Sequence, residues 1–400
     1  MITFSAWMPR KGKGRDMAKE KFSGNRGEWS EPYAVLRLMA DGKLCQANSD
    51  LLPDENDFAC VLAVDRGDLK SAIRSDGVVV FSYKDEKGLS HEVETHPAKL
   101  DLQASRLFKA ICAVQNAKVS FELPSEADGL KVLGFRRLTS PLSEDGRSAK
   151  RDLELKIVGP CTGVATLGFS VKSQLGAPPS LLNASEPTNI VYRVKGLSKD
   201  QANAINAIEG SRKIMDRCCA IKEQATSIEY ESYHSAIFAD NLDIVDSALP
   251  KLLADLVKVH YFEQILLPRD AKADGTFRNM DRLDKAVRLL SKTRDYAAKS
   301  RQDYCEIKIK RFLRACALGL MPSKVWEAKD DASGGYILVL PDGRLVALFV
   351  YNTTLLEKYL FESTIFERAS TTRHKYLRLI PDVKSEDYFI KLNLQIRFIQ

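Results

Sequence analysis

Asp152 and Lys172 carry the first chemical suggestion in this sequence. Asp152-Leu153-Glu154-Leu155-Lys156-Ile157 alternates polar with apolar residues, Gly159-Pro160-Cys161-Thr162-Gly163 is rich in turn formers, and Leu167-Gly168-Phe169-Ser170-Val171-Lys172 alternates again. That pattern predicts an antiparallel hairpin. Alternation sends Leu153, Leu155, Ile157, Phe169 and Val171 to one face and Asp152, Glu154, Ser170 and Lys172 to the other. With the turn at 159–163, Asp152 and Lys172 come together. A carboxylate beside an ammonium suits metal-assisted phosphodiester hydrolysis: the acid anchors Mg2+, the ion polarises a phosphoryl oxygen, and the lysine orients water or helps to deprotonate it. Any half-exposed sheet alternates in the same way, so on the pattern alone a solvated hairpin face is the better description.

The surrounding elements must hold that hairpin. Trp29, Tyr33, Leu36 and Ala40 recur at helical spacing, which predicts a helix over 27–40 with Pro32 in its first turn and Asp41-Gly42 as its stop. A mixed region follows, with a strand at 77–83 and a helix at 100–117. Beyond the hairpin come a loop rich in Gly, Pro and Asn (176–189), a strand at 190–194 and a mostly helical stretch from 198 to about 320, with Leu249, Leu252, Leu253, Leu256 and Val257 on one stripe. Strands at 336–340 and 345–351 flank a Pro341-Asp342-Gly343 turn, and a helix at 354–369 and a strand at 388–398 complete the pattern. The expected fold is α/β or α+β: a central mixed sheet flanked by helices, with a helical insertion and a small C-terminal sheet. The expected divisions are a basic arm (1–26), a core (27–197) holding the hairpin 152–174, a helical region (198–321) and a C-terminal α/β segment (322–400).

The chain has 400 residues, 44% hydrophobic and 28% charged, enough to build a core without staples. Lys and Arg number 60 against 53 Asp and Glu, a formal charge of +7 that permits an anionic partner without requiring one. The eight cysteines form no CxxC pair and no zinc spacing with the five histidines, so we read them as reduced thiols in a cytoplasmic protein. Neither an apolar signal segment nor a membrane span is visible. His91, His96, His234, His260 and His374 are isolated from any triad setting, and Gly334-Gly335 lacks the Lys-Ser/Thr of a P-loop.

Three stretches resemble one family. They are Gly27-Glu28-Trp29-Ser30-Glu31 running into Leu36-Arg37-Leu38-Met39-Ala40-Asp41-Gly42-Lys43-Leu44; Leu167 to Gly176 continuing through Leu181-Leu182-Asn183-Ala184-Ser185 and Thr188-Asn189-Ile190-Val191-Tyr192; and Lys391-Leu392-Asn393-Leu394-Gln395-Ile396-Arg397-Phe398. In this order they resemble HpaII-like type II restriction endonucleases. The resemblance implies a PD-(D/E)xK-type nuclease core, Mg2+ dependence and cleavage of double-stranded DNA at a short palindrome, CCGG for this family. It also implies that Asp152 is the metal-binding aspartate and Lys172 the motif lysine. Ser170 stands where the general pattern has a second acid, and a serine cannot supply that charge. Glu154, Glu186 and Glu31 are the candidates to replace it, with Glu28 one turn before Glu31. Each has a structural alternative, as a strand acid, a loop acid or acids at a helix N-terminus. Gln174, two residues beyond Lys172, can orient water or phosphate or simply end the strand.

The run Arg368-Ala369-Ser370-Thr371-Thr372-Arg373-His374-Lys375-Tyr376 has side chains that bind phosphates or guanine edges, and it equally describes a basic surface turn. Arg278, Arg282, Arg288, Lys292 and Arg294 read as a phosphate track or as a solvated helix face. Arg373, His374, Lys375, Asn183 and Asn189 are the candidate base contacts. A palindrome with one site per chain implies a homodimer on DNA, and a CCGG reader implies a host cytosine methyltransferase whose C5 methyl group blocks cleavage.

Overall fold

The computed structural model describes residues 22–115, 119–141, 150–159, 162–267, 281–368 and 376–399. A nine-stranded mixed sheet dominates. Its order is Lys43–Ala47, Leu345–Phe349, Gly335–Val339, Gly163–Ser173, Leu153–Gly159, Pro53–Asp65, Leu69–Ile73, Val79–Lys84 and Ser90–Thr95. Lys43–Ala47 also pairs with Pro53–Asp65, so six strands close into a ring from which the last three extend. Two pairings are parallel, Gly335–Val339 on Gly163–Ser173 and Leu345–Phe349 on Lys43–Ala47.

The hairpin forms as its alternation requires, with Leu153 opposite Phe169 and Gly159 opposite Gly163. The same alternation separates two cores. Tyr336 and Leu338 enter one, shared with the helices Leu249–Phe262, Leu283–Ser291 and Tyr304–Leu318. Ile337 and Val339 enter the other, with Leu153, Leu155, Ile157, Phe169 and Val171 and with the helices Arg26–Asp41 and Pro97–Ala113. Gly168 is required by close approach: a Cβ there would lie 2.4 Å from the Asp331 carbonyl, where the Gly335–Val339 strand enters the sheet.

The first helix, Arg26–Asp41, is opened by an Asn25 capping box with Glu28 and closed by Gly42 at φ 62. Pro32 is not in its first turn. It lies one turn deeper, because the helix starts at Arg26, and Pro32 has no N–H to give the Glu28 carbonyl. Arg26 ties this end to the hairpin through its Nη1, which donates to the Leu175 carbonyl at 2.7 Å.

Other elements depart from the pattern. Pro53–Asp65 went unread because Asp54, Glu55, Asn56 and Asp57 interrupt its apolar side. A strand, Ser227–Tyr233, interrupts the helical region and pairs with Asn189–Lys195 in a four-stranded sheet completed by Tyr388–Asn393 and Ile380–Pro381. The late helix ends at Glu362, and Thr364–Phe366 is a strand. The expected final strand is two, Tyr388–Asn393 and Ile396–Phe398, in different sheets. Among the described residues no helix is long and apolar enough to cross a membrane.

Candidate active site

Asp152 sits just before its strand, with its N–H donating to the Phe169 carbonyl at 2.7 Å. Its Oδ2 accepts from the Ser170 hydroxyl at 3.0 Å and from the Val171 N–H at 2.7 Å. Two donors on one oxygen hold the carboxylate at the edge of the sheet. Lys172 lies on the same face, its Nζ 5.4 Å from the centre of the Tyr336 ring.

Glu31 arrives from the first helix. Its Oε2 accepts from the Ser140 N–H at 2.9 Å, while the Ser140 hydroxyl donates to the Asp152 carbonyl, so one residue joins the two acids. The segment before Ser140 is pinned by Arg66, whose Nη2 donates to the carbonyls of Arg137 and Thr139 at 2.9 and 3.0 Å. Burial, then repulsion from Asp152, pushes the Glu31 carboxyl up to about 8, against the opposing pull of the Ser140 N–H, Arg66 and Lys172. Behind the pair, burial pushes the Lys150 ammonium below the usual lysine range; Cys316 opposes this and Lys172 adds to it.

A cleft of about 370 Å3 opens over these groups, lined by Glu28, Glu31, Asp152, Lys172, the Pro178–Ser180 segment and Arg397 among others. It draws on all three stretches that carry the family resemblance. The strand Ile396–Phe398 pairs with Ser180–Leu182, and Arg397 lies opposite Ser180. Such a site can hold a cation between two carboxylates and meet an anionic substrate with a lysine and an arginine. Three of its five ionisable lining residues are acids, Glu28, Glu31 and Asp152, and two are basic, Lys172 and Arg397.

The other candidates lie elsewhere. Glu154 is 3.8 Å from Arg151 and does not line the cleft. Glu186, largely exposed, is 3.0 Å from His234. Gln174 also lies outside the cleft lining, and its side chain hydrogen-bonds the buried Tyr359 hydroxyl. Asn183 is exposed, whereas Asn189 is buried and accepts from the Asn393 amide at 2.7 Å. Arg282 and Arg288 both approach the buried Asp284, at 2.8 and 3.7 Å, and Arg282 also donates to the Glu362 carbonyl. Arg373, His374, Lys375, Arg278 and most of the basic arm lie outside the described residues.

Ser140, Arg66, Lys150 and Arg397 belong to this neighbourhood and were not singled out from sequence. For Arg397 a signal existed, since it falls inside the third family-like stretch. The others owe their position to long-range packing that no local pattern announces.

The comparisons with known proteins address the whole chain. No solved structure matches it. The Type II restriction enzyme HpaII of Haemophilus parainfluenzae is 34% identical over 385 residues, covering 95% of this chain and 99% of that enzyme. The family described as HpaII restriction endonuclease matches residues 25–398, from the cap of the first helix through the strand that carries Arg397. With its acids, lysine and arginine gathered in one cleft, this chain belongs to the HpaII restriction endonuclease family.

Proposed function

We propose that the chain is a Mg2+-dependent type II restriction endonuclease with a PD-(D/E)xK-type core, hydrolysing both strands of double-stranded DNA at CCGG and leaving 5′-phosphates. One observation carries the reading: Asp152, fixed by Ser170 and Val171, shares a cleft with Glu31 and Lys172. In this reading Glu31 is the second acid that Ser170 cannot be.

The residues fit a magnesium ion. One or two carboxylates beside water and substrate phosphate are the usual protein share of a magnesium site, and Asp152 and Glu31 line one cleft with Asp152 adding to the burial that raises Glu31. When bound, the ion neutralises charge on the phosphoryl oxygen and acidifies nearby water. Asp152 and Glu31 hold it. Lys172 orients the attacking water and takes part in removing its proton. Ser170 keeps the Asp152 carboxylate turned toward the cleft.

Two copies related by a two-fold axis match the symmetry of a palindrome, so the active species on DNA is a homodimer. Cytosine methylation by a host methyltransferase protects the cell's own sites, since a C5 methyl group occupies the major-groove edge of the pair. The domain reading is a nuclease core at 27–197, a helical region at 198–321 and a basic arm at 1–26; the segment 322–400 is not a separate small sheet packed on the core, because its strands Gly335–Val339 and Leu345–Phe349 belong to the central sheet.

The deciding experiment is digestion of a plasmid of known sequence with Mg2+, before and after CpG methylation. Discrete fragments that map to CCGG and vanish on methylation support the reading. Fragments mapping elsewhere remove the specificity, and no cleavage of any duplex removes the endonuclease. Sedimentation that finds only monomers on the cognate duplex during efficient double-strand cleavage removes the dimer.

A further inference from the structure

Arg397 lines the same cleft, and the hydrolytic steps above leave its part undefined. The Phe398 N–H donates to the Pro179 carbonyl at 3.0 Å, which presses the last strand against the Pro178–Ser180 wall. The Arg397 guanidinium is then fixed twice. Its Nε donates to Glu367 Oε2 at 2.6 Å and its Nη1 to the Pro178 carbonyl at 3.3 Å. Glu367 is itself held, because its Oε2 also accepts from Gln395 Nε2 at 2.6 Å and its N–H donates to the Gln395 carbonyl at 3.0 Å.

A guanidinium has five N–H donors. The frame uses the Nε donor and one on Nη1, and the rest find no protein acceptor among the described residues. The side chain is 31% exposed, open enough to meet a ligand and too confined to swing away from one. The same cleft presents Asp152 and Lys172, so a phosphodiester that reaches them also meets in Arg397 a cation already held in place. A planar fork with spare donors matches a phosphate better than an ammonium does.

We propose that Arg397 binds the phosphodiester of the strand being cut, with Glu367 and Gln395 as the positioning residues that aim its guanidinium into the cleft. This rests on the endonuclease reading and adds to it a substrate contact from the third family-like stretch.

The test separates contact from cleavage. Duplex binding is measured by fluorescence anisotropy in EDTA across a salt series, and single-turnover cleavage with Mg2+. Arg397→Ala lowers the slope of log affinity against log salt by about one phosphate's worth and the cleavage rate by about 100-fold. Arg397→Lys keeps the slope, having kept the charge, and still loses rate. Glu367→Gln leaves the slope and lowers the rate, as expected of a positioning residue. Arg397→Ala with wild-type melting, slope and rate overturns the proposal. Should that variant fail to fold, Arg397→Lys decides, and a wild-type rate overturns it. If the wild type cuts no duplex, the endonuclease reading fails, and the salt slope alone then upholds or overturns the phosphate contact.

Discussion

Two charged clusters in this molecule are built on opposite principles. Around Arg193, on the four-stranded sheet, Glu231, Asp382 and Asp387 lie at 3.1, 2.8 and 3.3 Å from one guanidinium. Hydrogen bonds to Glu231 and Asp382 push Arg193 above its usual range, and Asp382 is correspondingly held low. Each of the three acids there hydrogen-bonds the same guanidinium. In the cleft, Glu31 and Asp152 face each other across the frame set by Ser140, and burial and mutual repulsion drive Glu31 up to about 8. The satisfied cluster needs nothing more. In the cleft a buried carboxyl keeps its proton to an unusually high pH beside a second acid, the kind of perturbed group that clusters at functional sites.

The largest effect that separates the two clusters is loss of catalysis. Asp152→Asn lowers single-turnover cleavage by about 1,000-fold or more through loss of the metal anchor, and duplex binding without metal does not fall. Lys172→Ala lowers the rate by about 100- to 10,000-fold and leaves binding within a few fold. Cleavage retained in either variant would falsify the site.

Glu31→Gln sharpens the contrast, because it removes activity while relieving the fold. In metal-free protein the folded chain holds the Glu31 proton up to about 8, whereas the unfolded chain releases it near 4.5. The folded state therefore binds more protons across that window, and stability declines as pH rises through it. Glu31→Gln keeps an acceptor for the Ser140 N–H and loses the titration. Its melting temperature exceeds that of the wild type at pH 8.5 in EDTA, with the gap closing toward pH 5. Parallel melting curves for the two proteins would break the contrast.

Arg193→Ala weakens folding and changes the cleavage rate by no more than about twofold, since solvent-exposed pairs carry modest energies and this one touches no part of the cleft. The smallest effects fall to Glu154→Gln and Glu186→Gln. Both acids lie outside the cleft, Glu154 beside Arg151 and Glu186 beside His234. Stability moves within about 0.5 kcal/mol and cleavage is unchanged. A large loss of rate in either one would move the second acid away from Glu31.

What was legible in the sequence was short-range. The hairpin, the first helix and the Gly335–Val339 and Leu345–Phe349 pair follow from alternation, helical spacing and turn chemistry, which are local properties. Asp152, Ser170 and Lys172 share a face because a strand alternates, so their meeting could be read directly. The choice among Glu31, Glu154 and Glu186 could not. It depends on which acid the first helix, the Ser140 segment and Arg66 deliver to the cleft, and the contacts of Ser140 with Glu31 and of Arg66 with Arg137 join residues 109 and 71 positions apart. Ring closure through Lys43–Ala47 was hidden for the same reason, and Pro53–Asp65 was hidden by its own polar start.

The convergence of three distant stretches on one cleft also sets the timing of hazard. Its walls come from residues near 26–31, 152–173 and 397, so it requires closure of very long loops, and such contacts form late in folding. A cutting site made of neighbouring residues would be armed as soon as its hairpin closed. Here the half-made or half-melted chain has its acids without the opposing arginine, and a lysine without the acid from the first helix. Competence to break DNA arrives last and leaves first, so the cell that makes the protein meets either the finished, sequence-selective form or an inert one.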